Sequence, residues 1–308
     1  MSKPSAEFAF INWLRSQTPA HSRVALGPGD DAAALTLTPG VSCLITTDML
    51  LDGVCFRLEE AGAHQVGRKA MAVNLSDIAA MAGRPVAAFA SVALPRTGGT
   101  LLARELYLGL REMADGFGVA IAGGDTNSWP GPLAISVTLV GEATGRGPVS
   151  RRGAKPGDWI LVTGPLGGSI AGKHLAFTPR INEAIELHRL ADLHAMIDIS
   201  DGMAADLNHI CEESGCGAVL NARAIPISSA ARDAVDARSA LEHALTDGED
   251  FELIVVLPPA QAKKLVAEQP VSGITLSHVG ECIHEGLWLD IDGLRRSLEP
   301  GGYVHELS

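Results

Sequence analysis

The 308-residue chain contains no uninterrupted apolar run of the roughly 18 residues that a membrane span needs. It also lacks any excess of positive charge. Lys and Arg number 24 against 36 Asp and Glu, a formal net charge of −12. That balance disfavours binding along a nucleic-acid backbone, which calls for basic surfaces. No CxxC pair occurs among the five cysteines, Cys43, Cys55, Cys211, Cys216 and Cys282. Cys211 and Cys216 flank "EESG" with no second pair to complete a zinc tetrahedron, so all five read as buried or free thiols. The ten histidines form no HxxxH pair, and no hydrolase-type serine elbow is present. Neither GxxxxGK[ST] nor a well-placed GxGxxG occurs, which removes the P-loop and Rossmann routes to a nucleotide. Repeats and low-complexity tracts are absent as well.

What remains is a globular composition, 46% hydrophobic and 19% charged, in a chain long enough for two domains with cores of their own. Glu7 and Asn12 interrupt "MSKPSAEFAFINWL" where a secretory segment would be apolar, so a cytoplasmic location is expected. The Gly, Pro and Arg-rich stretch "TGRGPVSRRGAKPGD" marks a boundary near residue 145, giving domains 1–145 and 146–308. Apolar spacing predicts helices over 6–16, 63–82 and "LLARELYLGLREMADGFG", and strands over 42–47 and 86–94. Leu133, Ile135, Val137 and Leu139 alternate as in a half-buried strand. In the second half "DWILVTG", "AMIDIS", "FELIVVLP" and "ITLSHVGECI" read as strands between helices, with "GPLGGS" leading into one of them. Each half therefore mixes strands and helices, a two-domain α/β class with mixed, α+β-type sheets.

Five aspartates share a local grammar. Asp30, Asp48, Asp77, Asp125 and Asp198 each lie near the end of an apolar segment, beside Gly, Ser, Thr or another Asp. Strand ends and helix starts are where a scaffold aims side chains into a crevice. Carboxylates gathered there repel by on the order of several kcal/mol unless cations sit between them. Magnesium, which takes carboxylates, water and phosphate oxygens, suits such a set. Thr46, Thr47, Ser76, Thr126 and Ser200 add hydroxyls of the same hard type. Singly, an Asp in "GD" or "SD" reads as a turn residue or helix N-cap. Asp31 and Asp201 fit that reading best, and Asp158 in "KPGDW" reads as a plain turn. The number of sites, not any one of them, favours metal. Glycine turns at "GPGDD", "AGGDT", "TGPLGGS" and "DGED" let backbone N–H groups approach phosphate. Arg151 and Arg152 read either as phosphate partners or as solvated linker charges.

In order, "GPGDDAA", "TTDMLLDGVCF", "AVNLSDIAAMAGRP", "GGDT", "SRRGAKPGDWILVTG", "DISDG" and "DGEDFEL" resemble the thiamine-monophosphate kinase family. Its superfamily includes aminoimidazole ribonucleotide synthetase, selenophosphate synthetase and a hydrogenase-maturation dehydratase. The resemblance implies an N-terminal ATP and magnesium-binding domain that pairs through its sheet with a second copy, and a C-terminal α/β domain completing the cleft. It implies several Mg2+ ions, ATP as co-substrate and thiamine monophosphate as acceptor. Metal positions carried over are Asp30, Thr46, Thr47, Asp48, Asp77, Asp125, Asp198 and Asp201, with Asp48, Asp77 and Asp125 nearest the reacting phosphates. Nucleotide positions are Tyr107, Gly124, Asp125, Arg151 and Ser200. Acceptor positions are Cys55, Glu249 and Tyr303. Cys55 stands where the family usually has His, which leaves open a kinase or synthetase of the same superfamily acting on another phosphorylated small molecule. A non-catalytic nucleotide or metal sensor is the reading from another class, and the full acidic set argues against it.

Overall fold

The structure is a computed structural model that describes residues 6–303; the end of the "GGYVHEL" stretch lies outside the described residues. Two compact units emerge. One takes in the chain up to Ile78 together with Arg84–Ala143, and the other takes Ala79–Gly83 and everything from Thr144 onward.

The first unit contains α1 (Ala6–Gln17), β1 (Val24–Leu26), β2 (Ala34–Leu35), β3 (Cys43–Leu51), α2 (Leu58–Ala61), α3 (Ala63–Ala80), β4 (Arg84–Pro95), α4 (Gly99–Gly116), β5 (Ala120–Trp129) and β6 (Ala134–Glu142). Its main sheet runs β3-β6-β4-β5, antiparallel except for the parallel β4–β5 pair. Leu133, Ile135, Val137 and Leu139 are fully buried, as their alternation predicts. The helices α3 and α4 meet backbone to backbone. A Cβ on Gly67 would lie 2.0 Å from the Leu106 carbonyl oxygen, and one on Gly109 would lie 1.9 Å from that of His64. Only glycine permits that approach. The sheet's other face is covered at one end, where Val24, Ala33, Leu35 and Leu37 pack on Val86, Ala87 and Ala122. Along β3 it is open, with Ile45 68% and Met49 66% exposed.

Two strands outrun their expected ends. β3 continues to Leu51 because β6 pairs with all nine of its residues, and β5 continues to Trp129 against β4. Asp48 and Asp125 therefore sit inside strands, not at their ends, and strand parity decides where each points.

The second unit contains β7 (Trp159–Val162), α5 (Lys173–Ala176), α6 (Ile181–Leu190), β8 (Ala195–Asp198), α7 (Met203–Ser214), β9 (Gly217–Asn221), α8 (Ser229–Asp233), α9 (Ala240–Thr246), β10 (Leu253–Leu257), α10 (Pro259–Glu268), β11 (Ser277–Ile283), β12 (Leu287–Ile291) and β13 (Leu294–Ser297). Its sheet order is β13-β12-β9-β11-β7-β10-β8, with only β9–β12 parallel. The central strands are buried on both faces, which is why "LIVVL" reads as an unbroken apolar run. Met203, Leu207 and Ile210 of α7 pack on Ile160, Ile197 and Ile254. Asp158 does close a turn, accepting from the Lys155 amide at 2.8 Å, but it is not a plain one. Its carboxylate is buried and lies 2.7 Å from Nδ1 of His194, a partner distant in sequence. The helix expected after "GPLGGS" shrinks to a 3-10 turn at Ser169–Ala171 and the four-residue α5, because Gly172, with φ +142°, interrupts it.

Candidate active site

Alternation along β3 places Leu44, Thr46, Asp48 and Leu50 on the helix-covered face, and Cys43, Ile45, Thr47, Met49 and Leu51 on the open one. The Thr46 hydroxyl donates a hydrogen bond to the Asp77 carboxylate on α3. Thr47 points the other way, to the Val137 carbonyl at 3.2 Å and the Thr138 hydroxyl at 3.0 Å. The "TTD" triplet is thus split: Thr46 and Asp48 accompany Asp77, and the Thr47 side chain does not. The loop after β3 is closed by the Gly53 amide donating to the Phe56 carbonyl at 2.8 Å. Cys55 is half-buried there, and its carbonyl accepts from Nζ of the fully buried Lys69 at 2.7 Å. A buried ammonium requires such acceptors. Nothing in the local pattern of α3 had singled out Lys69.

A cavity of about 600 Å³ lies in the same unit, lined by Asp30, Asp31, Tyr107, Gly124 and Asp125 over an apolar floor that includes Val92 and Leu106. Four residues expected at the nucleotide or its metals meet here. Tyr107 is buried, its ring edge-on to Trp13 and its hydroxyl 2.9 Å from that of Thr18, so it forms a fixed wall. A Cβ on Gly124 would lie 1.9 Å from the Ala90 carbonyl oxygen, so the β4–β5 pairing admits only glycine there.

Register separates two of the acids. Asp48 lies in line with Val137, Ala90 and Gly124, whereas Asp125 lies in line with Ser91, Ser136 and Met49. Laterally paired residues share a face, so Asp48 points to the helices and Asp125 to the open face. Three strand spacings separate Asp48 from Gly124, about 14 Å between Cα atoms. Within one chain the sheet does not gather Asp48, Asp77 and Asp125 on one face.

In the second unit β8 ends at Asp198 and the chain turns through Ser200, Asp201 and Gly202 into α7. Asp201 does not cap that helix; Gly202 occupies the cap without a side-chain bond. The turn is clamped by Asp206, whose Oδ2 accepts from the amides of Ser200, Asp201 and Gly202, each at 3.0 Å. Burial pushes the Asp206 carboxyl up to about 7, and the charges of Asp198 and Asp201 push the same way. Asp201, Asp206 and His209 offer ligand atoms all within 4.8 Å of one another, the one such group among the described residues. Crowded carboxylate oxygens fit a divalent cation, which would relieve their repulsion. The sequence had not pointed to Asp206 or His209, since both sit in an ordinary helical pattern.

Two more expected residues join this turn. The Glu249 amide donates to the Ser200 carbonyl at 2.7 Å, and the Tyr303 amide donates to that of Asp201 at 3.0 Å. Arg151 stands apart. Its carbonyl accepts from the hydroxyl of Ser214, the last residue of α7, at 3.2 Å. The helix spans about 18 Å, so the Arg151 backbone lies at the opposite end from the Ser200 turn.

The description "AIR synthase related protein, N-terminal domain" matches residues 29–143, and the corresponding C-terminal domain matches residues 155–287. A crystal structure of thiamine-monophosphate kinase from Stenotrophomonas maltophilia K279a superposes with a TM-score of 0.80 at 33% identity, covering 92% of this chain and 96% of that one. The structure of AaThiL complexed with AMPPCP and TMP covers 99% of both chains, at 26% identity and a TM-score of 0.77. The thiamine-monophosphate kinase of Rhodopirellula baltica is 41% identical over 310 residues, which span 97% of each chain. Identity of that degree, sustained over nearly the full length, places this chain in the thiamine-monophosphate kinase family.

Proposed function

We infer that this chain transfers the γ-phosphoryl group of ATP to thiamine monophosphate, giving thiamine diphosphate and ADP. The observation that carries the reading is the near-full-length likeness to a kinase whose structure is complexed with AMPPCP and TMP. The chemistry agrees with what the sequence lacks. The acceptor is itself a phosphate, ionised at neutral pH, so neither a strong general base nor a covalent intermediate is needed. The protein has to supply placement and charge neutralisation.

Magnesium, when bound, would supply that neutralisation. Asp30, Asp48, Asp77, Asp125, Asp198 and Asp201 would hold the ions, with Thr46 fixing Asp77 and Asp206 fixing the Ser200–Gly202 turn. Tyr107, Gly124, Asp125, Ser200 and Arg151 are the residues assigned to the nucleotide, with the Arg151 backbone at the far end of α7 from Ser200. Cys55, Glu249 and Tyr303 are the residues assigned to the acceptor. Residues 1–145 and 146–308 are the two proposed domains, and each contributes residues of the assigned set. A second copy covers the open face of β3, which presents Ile45, Met49 and Leu51 to solvent. A homodimer of that kind also encloses the face toward which Asp125 points. Among the described residues no helix is long and apolar enough to cross a membrane. A cytoplasmic location belongs to the same proposed reading.

The test incubates protein, ATP and magnesium with a panel of heterocyclic monophosphates and measures ADP. Thiamine monophosphate alone should stimulate release. Equal stimulation by another monophosphate, or none by thiamine monophosphate, would overturn the assignment.

A further inference from the structure

Helix α5 has four residues, too few to persist on propensity alone. It is held by contacts to the loop between α9 and β10. Lys173 Nζ lies 3.0 Å from Glu252 Oε1, His174 Nδ1 lies 2.9 Å from Glu249 Oε2, and the ring of Phe177, just beyond the helix, stacks on Phe251 with centroids 4.1 Å apart. The loop needs this support. Glu249 and Phe251 take φ values of +51° and +49°, a region that few non-glycine residues occupy. Its base is anchored by Glu252, which accepts from Arg180 at 2.8 and 2.9 Å and from Thr163 at 2.8 Å. His174 keeps only 11% of its side chain exposed, whereas Glu249 keeps 26%. A buried imidazole therefore backs an accessible carboxylate on a strained backbone.

We propose that His174 is a positioning residue for acceptor specificity, fixing the Glu249 carboxylate to receive the amine N–H of the acceptor's heterocycle. The inference rests on the assignment of Glu249 to the acceptor site. An ionised carboxylate makes charge-assisted bonds to N–H donors, and these depend on direction. A side chain that sets its rotamer therefore acts on acceptor affinity and leaves the ATP site alone.

Full-length His174→Ala and His174→Asn would be compared with the wild type at saturating ATP and magnesium. His174→Ala should raise KM for thiamine monophosphate by about ten-fold or more, with kcat and KM for ATP within about two-fold. Asn offers an amide N–H near the position of Nδ1 and should restore KM to within about three-fold of wild type. His174→Gln, which displaces that N–H by one bond, should not, and the Asn–Gln contrast stands even where the Ala variant does not fold. An unchanged KM for thiamine monophosphate in His174→Ala, an equal rise for both substrates, or Asn no better than Gln would overturn the proposal. Calorimetric titration of thiamine monophosphate separates the two levels. Absence of binding to the wild type removes the acceptor assignment and this inference with it. Binding that His174→Ala leaves intact removes the inference alone.

Discussion

The hydroxyl of Thr46 on β3 bonds the carboxylate of Asp77 on α3, joining a sheet edge to a helix through two residues expected at the metals. That donor orients the carboxylate, which a cation site requires. Thr46→Val keeps the shape and removes the donor. The magnesium concentration for half-maximal rate should rise by about three- to ten-fold, with the melting temperature changed by only about a few degrees. A magnesium titration at saturating ATP checks this.

Gly109 seats α4 against α3, and Tyr107 rides the same helical turn. Gly109→Ala should destabilise the chain by about 2–4 kcal/mol, because a backbone carbonyl has no rotamer by which to yield. It should also raise KM for ATP by displacing the Tyr107 wall. Urea melts and ATP kinetics on the variant measure both, and wild-type stability would contradict the backbone contact.

Asp206 titrates when folded at about 7 against an ordinary value of 3.8, so the native state binds its proton more tightly than the unfolded chain. Its contribution to stability is therefore full at low pH and declines as pH climbs from about 4 to about 7. Asp206→Asn stays uncharged throughout. In EDTA the variant should gain on the wild type across that window, by up to about 4 kcal/mol. Added magnesium should stabilise the wild type more than the variant. Denaturant melts at pH 5 and pH 8, with and without magnesium, read both effects.

Adjacent acids shift in opposite senses in the loop before β10. Burial works to raise Glu252, yet the bonds from Arg180 and Thr163 and the charge of Lys173 outweigh it and hold the carboxyl below its ordinary 4.5. Burial raises Asp250 to about 6. Because Glu252 is depressed, the stability it adds is present above its unfolded value and is lost as pH falls toward the folded one. Glu252→Gln should cost about 3–5 kcal/mol at pH 7, leaving Arg180 and Lys173 without their carboxylate. That penalty should shrink as pH falls below about 4.5.

Much of the fold was legible because its signals are local. The period-two run Leu133–Leu139 gave β6, and the glycine stop at Gly215 gave the end of α7. Asp30, Tyr107, Gly124 and Asp125, which the motifs singled out, line one cavity. What was not legible depends on long-range pairing. The register shift between Ala88 and Phe89 helps set which face Asp125 shares, and no local pattern announces it. The separation of Thr46 from Thr47 follows from strand parity once β3 is known to continue past Thr47. Asp206 escaped notice because it acts on backbone amides from inside a helix. His174 escaped because its partner lies 75 residues along the chain (249 − 174) and belongs to a loop whose shape only tertiary contacts maintain.

The central claim is that carboxylates and their magnesium ions drive transfer to thiamine monophosphate, and its most direct test is the rate of thiamine diphosphate formation by Asp125→Asn at saturating magnesium. The account predicts a fall of at least about a hundred-fold with an unchanged melting temperature, since the lost ligand stabilises developing phosphate charge. A near-normal rate under those conditions would contradict it.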